Sequence, residues 1–104
     1  MKYYVSASGN SVTLQLTYYP YERYEQTKKK RVKISAPTLF DALVKMVDGM
    51  RLYFDSDDIE DDDMTVEEIL QSIELSNGDG CDYITELKNL TTGEVLLEGY
   101  DEGW

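Results

Sequence analysis

Nine consecutive residues, Asp55-Ser-Asp-Asp-Ile-Glu-Asp-Asp-Asp63, carry seven carboxylates and no base. A run of this kind can do three sorts of chemistry: shuttle protons, hold a hard cation, or stand in for the phosphates of a nucleic acid. Proton shuttling needs two carboxyls whose surroundings push their acidities apart, and nothing in the run sets two of them apart. Calcium in an EF-hand needs oxygen ligands at loop positions 1, 3 and 5, glycine at 6 and glutamate at 12. Counted from Asp55, the fifth position is Ile59 and the sixth Glu60; counted from Asn77, the fifth is Cys81 and the twelfth Lys88. Neither loop fits, so neither a metal site nor a cofactor site is expected.

Phosphate imitation survives as the remaining chemistry. Like charges a few ångströms apart repel by about 1 kcal/mol per pair in water, and a Debye length of roughly 8 Å at physiological salt leaves close neighbours unscreened. In a helix rising about 1.5 Å per residue, the strip would show one charge per about 1.9 Å, against one per about 1.7 Å of duplex DNA. Drawn out at about 3.3 Å per residue the same charges lie more than twice as far apart. Only a compact form brings Asp55, Asp57, Asp58, Glu60, Asp61, Asp62 and Asp63 to phosphate-like density, with Glu67 and Glu68 extending the set. The competing interpretation is a solvated loop kept for solubility.

Other catalytic chemistry is scarce. Histidine is absent, which removes the commonest general base, the commonest zinc ligand and every serine–histidine or cysteine–histidine nucleophile. Cys81 lies between Gly80 and Asp82, with no adjacent base to activate a thiolate. No glycine-rich phosphate loop occurs. The chain is expected not to be an enzyme.

A second candidate surface is the aromatic stretch Tyr18-Tyr-Pro-Tyr-Glu-Arg-Tyr24 followed by Lys28-Lys-Lys-Arg31. Tyr19, Tyr21, Arg23 and Tyr24 could stack on bases or anchor a protein partner. Direct nucleic-acid binding is disfavoured, because such proteins are usually basic and this chain has a net charge of -11. The lysines also serve to blunt a sheet edge.

In its size, its acidity, its lack of histidine and the segment Asp55–Asp63 with Glu67 and Glu68, the chain resembles the small proteins of phages and mobile elements that inhibit host nucleic-acid-binding enzymes. These include anti-CRISPR proteins and anti-restriction DNA mimics. The resemblance is at the level of a class without a shared signature, and the only role it implies for these residues is phosphate imitation. It implies a non-enzymatic inhibitor whose partner is a basic nucleic-acid-binding protein, such as a CRISPR effector nuclease, met in the host cytoplasm. The alternative is an adaptor or assembly protein that binds through its tyrosine-rich sheet, with the acids serving solubility.

What must position these groups is a single domain spanning 1–104: the length suits one core and not two. A hydrophobic fraction of 41% separates the chain from disordered acidic tails. No run of apolar residues is long enough for a membrane span and no secretory leader is visible, while one cysteine agrees with a reducing compartment, so a cytoplasmic location is expected. Charge is divided along the chain. Residues 1–36 hold seven bases and two acids, the remainder three bases and nineteen acids.

Alternation predicts strands at 2–7, 11–19 and 31–35, the second with Val12, Leu14, Leu16 and Tyr18 on one face, the third with Val32 and Ile34 inward. The three are expected to form an antiparallel meander. Thr38, with Asp41 three residues on, should cap a helix whose buried face is Leu39, Leu43, Met46, Val47, Met50 and Phe54. Within it Gly49 would allow close backbone approach and Asp41 would pair with Lys45. Thr65-Val-Glu-Glu68 is a capping box opening a second helix that buries Ile69, Leu70 and Ile73. Strands at 83–90 and 94–100 around Leu90-Thr-Thr-Gly-Glu94 form a hairpin, although Ile84, Leu87 and Leu90 would also share one face of a helix. The expected fold is α+β, in the order βββααββ: an antiparallel sheet of about five strands with two helices on one face.

Overall fold

The computed structural model describes residues 11–20, 29–76 and 82–99. Within them four strands form one antiparallel sheet and three helices accompany it. The strands are β1 (Val12–Tyr19), β2 (Lys30–Ala36), β3 (Tyr83–Asn89) and β4 (Glu94–Glu98), and the helices are α1 (Leu39–Asp48), α2 (Ser56–Asp61) and α3 (Val66–Ser76). The α+β class and the antiparallel sheet agree with expectation. Among the described residues the strands number four, not about five, and the expected strand at 2–7 lies outside them. Three helices replace two, because the acidic strip is itself helical.

Strand order in the sheet is β2-β1-β3-β4. β1 is central, which accounts for its clean alternation: Leu14 and Leu16 are fully buried. β2 pairs with it in the register Leu14↔Ile34 and Leu16↔Val32, so Val32 and Ile34 do point to the core side. No described strand lies beyond β2, and Val32 keeps 37% of its surface exposed. Against β3, β1 pairs Thr17 with Glu86 and then Tyr18 with Ile84, leaving Thr85 as the extra residue of a bulge. Its hydroxyl donates to the Thr17 carbonyl at 3.2 Å, offsetting the interrupted ladder. The β3–β4 hairpin forms as strands and not as a helix. Gly93 takes φ 83 in the turn, and the Asn89 side-chain oxygen accepts from the amides of Thr91 and Thr92.

The core fills the space between one sheet face and the helices, with Ala42, Leu43, Met46 and Val47 of α1 and Ile69 and Ile73 of α3 meeting Leu14, Leu16, Ile84 and Leu87. Thr38 caps α1 as expected, its hydroxyl accepting from the Asp41 amide at 3.0 Å. The helix does not run on to Phe54. It stops at Asp48, and Gly49 is its C-cap, with φ -96 and an amide donating to the Met46 carbonyl at 3.0 Å. Nor does Gly49 mark a close approach: a Cβ there would meet only the Met46 carbonyl at 3.7 Å and the Lys45 carbonyl at 3.9 Å, ordinary contacts. Met50, Leu52 and Phe54 still pack against the core, now from an irregular segment. Lys45, expected to pair with Asp41, reaches across to β2, where its Nζ donates to the Ser35 carbonyl at 2.8 Å.

Candidate functional site: an acidic helix on the helical layer

The connector from α1 to the strip is held at Arg51. Its amide donates to Oδ2 of Asp82 and its carbonyl accepts from the Asp82 amide, both at 3.0 Å, tying the connector to the start of β3. Asp82 is 7% exposed, a buried carboxylate that sequence reading passed over because its acidic neighbourhood gave it no distinction. Burial first, and the negative charge of nearby Asp82 second, push the Tyr18 phenol above its ordinary value of 10.0.

From this anchored connector α2 begins with a reciprocal capping box. Oδ1 of Asp55 accepts from the Asp58 amide at 3.2 Å, and Oδ2 of Asp58 accepts from the Asp55 amide at 3.0 Å. Acids at this end also meet the positive pole of the helix. Ile59 alone among the α2 side chains is buried, at 2% exposure, and joins the core. Asp57 and Asp61, one turn apart, lie on the side opposite Ile59.

The far end of α2 is closed by a Schellman motif. The Met64 amide donates to the Ile59 carbonyl at 3.1 Å and the Asp63 amide to the Glu60 carbonyl at 3.2 Å. Met64 also packs against the core that contains Ile59, the apolar contact that usually accompanies this motif. Asp63 occupies the left-handed position at φ 51, where glycine is the usual residue. The chain then enters α3 through a second box, with Thr65 Oγ1 accepting from the Glu68 amide at 3.2 Å and Glu68 Oε1 from the Thr65 amide at 2.9 Å.

The nine acids singled out from sequence therefore fall into two sets. Asp55, Asp58 and Glu68 are fixed by the backbone hydrogen bonds of the two boxes. Asp57, Glu60, Asp61, Asp62, Asp63 and Glu67 are exposed and bond no described side chain or amide through their carboxylates. All nine stand on one continuous segment, α2, its closing turn and the first turn of α3. Among the described residues no three acids converge to hold a metal ion.

Of the second candidate surface, Tyr21, Arg23 and Tyr24 lie outside the described residues. Tyr19 stands opposite Tyr83 in the β1–β3 pairing, on the sheet face that no described helix covers. That face also carries Arg31 and Lys33 of β2, with Arg31 Nε donating to Thr17 Oγ1 at 3.3 Å. α1 packs on both β2 and α2 and separates the basic strand from the acidic helix.

No helix among the described residues is long and apolar enough to cross a membrane. Comparison with protein-family models, with curated proteins and with solved structures returns no match.

Proposed function

We propose that the chain is a non-enzymatic inhibitor that binds a basic, nucleic-acid-binding protein in the cytoplasm, with a CRISPR effector nuclease the foremost candidate. Its acidic segment would take the place of phosphates in that partner's binding channel. The observation that carries this reading is the helical state of the strip, anchored by Ile59 and closed at both ends. That is the compact form in which charge spacing approaches the roughly 1.7 Å per charge of a duplex. A solubility loop needs neither anchor nor caps. Asp63 adds to this: an acid is kept at a left-handed position that glycine would occupy without strain.

Binding of this type is steered by charge and weakened by salt. The test is inhibition of DNA cleavage by a CRISPR effector nuclease across a salt series. The variant for it combines Asp57→Asn, Glu60→Gln, Asp61→Asn and Asp62→Asn, leaving the carboxylates of both capping boxes in place. Inhibition should weaken by about 100-fold or more, as expected when several close interfacial charge pairs are lost. Undiminished inhibition by the variant, or affinity indifferent to salt, would overturn the reading.

A second reading is favoured by one observation, the Tyr19–Tyr83 pair beside Arg31 and Lys33 on the sheet face that no described helix covers. An adaptor using that face would keep its partner in high salt and tolerate the four substitutions.

A further inference from the structure

A groove of about 260 Å³ runs beside the acidic segment, lined by Asp62, Met64, Glu68, Gln71, Ser72 and Leu75. Glu68, Gln71, Ser72 and Leu75 recur at the three- and four-residue steps of one helix face. It is not the face that packs inward, which is formed by Ile69, Ile73 and Ser76. Leu75 is 76% exposed, more than any other large hydrophobic residue described. The groove therefore combines two apolar side chains, Met64 and Leu75, with two carboxylates, Asp62 and Glu68.

We infer that this groove docks a basic amphipathic segment of a protein partner. Its aliphatic or aromatic side chains would seat against Met64 and Leu75, with lysines or arginines facing Asp62 and Glu68 at the end nearer α2. The occupant follows from charge. Both ionic residues of the lining are acids, and Asp61, Asp63 and Glu67 beside it are acids too. A second copy, itself carrying -11, would be repelled, as would a nucleic acid. The inference rests on the acidic face being the docking face, and it adds that recognition there has an apolar part that salt does not screen.

Two synthetic probes of equal charge test it against the full chain: an oligolysine, and a peptide with the same number of lysines extended by leucines at helical spacing. Amide chemical-shift mapping with the leucine–lysine peptide should centre on residues 62–75. Its binding should persist at about 1 M salt, where the Debye length is about 3 Å and oligolysine is released. Leu75→Ser, at an exposed position that threatens no packing, should weaken the leucine–lysine peptide by about tenfold and leave oligolysine unaffected. Unchanged affinity in that variant, shifts centred on the sheet, or a dimer in sedimentation that Leu75→Ser dissolves would each overturn the inference. Failure of the acidic face itself would look different: neutralising Asp57 and Asp61 would then leave oligolysine binding intact.

Discussion

α2 and α3 begin in the same way and are held in opposite ways. Each opens on a reciprocal capping box, Asp55 with Asp58 and Thr65 with Glu68. α3 then runs eleven residues with Ile69 and Ile73 completely buried, an amphipathic helix that its own pattern specifies. α2 has only six residues and one buried side chain, and, like α3, no base in its last turn to meet the negative pole. Left to local energetics, a helix so short and so charged would not persist in water. Its two caps, Ile59 and the Arg51–Asp82 tie supply what its pattern lacks. A segment kept in order against its own repulsion is one whose shape matters, and this is the physical content of the proposed phosphate imitation.

The contrast is sharpest in the core. Ile73→Ala should destabilise the whole fold by about 3–4 kcal/mol, whereas Ile59→Ala should cost about 2 kcal/mol, because α2 can detach while the sheet, α1 and α3 stay packed. Urea unfolding gives the two values, and hydrogen exchange should show amides 56–61 opening in Ile59→Ala ahead of the rest. Equal losses with no such local opening would mean that α2 is as integral as α3.

The caps come next. Thr65→Ala should lose about 1 kcal/mol. Asp55→Ala should lose less at low salt, since it also removes one charge from a crowded run, and the two losses should converge as salt is raised. Urea midpoints at two ionic strengths measure this; a gap that does not close with salt would show that repulsion within α2 is not part of its stability.

The smallest effect should be a gain. Asp63→Gly relieves the left-handed residue and removes a charge, raising stability by about 0.5 kcal/mol, the difference between relieved strain and the added flexibility of glycine. Under the proposed function the same change should weaken partner binding, so that thermal melting and inhibition move in opposite directions. A variant that gained stability and kept full inhibition would remove Asp63 from the binding surface.

Much of the scaffold was legible residue by residue. The period of two in Val12–Tyr19, the Thr38 and Thr65 caps and the glycine of the 90–94 turn each act through neighbours only a few positions away, and the structure uses each as read. Misreadings arose where a local pattern had two outcomes. Leu39 to Phe54 keeps helical spacing past Gly49, yet the chain leaves the helix there and packs Met50, Leu52 and Phe54, half-buried, against the core from an irregular path. Lys45 lies one turn from Asp41 but bonds β2, whose position its own sequence neighbourhood does not contain. For the candidate site, the acids themselves and the capping role of Glu68 were plain, but the capping roles of Asp55 and Asp58 required the helix. Leu75 carried a readable signal: it falls off the Ile69–Ile73 stripe and in line with Glu68 and Ser72.

By itself, then, the sequence determined the α+β class, the starts of α1 and α3, the central strand and the density of charge along residues 55–63. These depend on short-range sterics, hydrogen bonds and the alternation of apolar side chains. The tertiary structure alone decided that β1 lies between β2 and β3, that β2 falls at the margin of the described sheet with Arg31 and Lys33 turned from the helices, and that the acidic run is a helix. Each of those outcomes turns on which surfaces meet across long separations in the chain. For the helix, the burial of Ile59 and the tie between Arg51 and Asp82 oppose a repulsion that the local sequence can only increase.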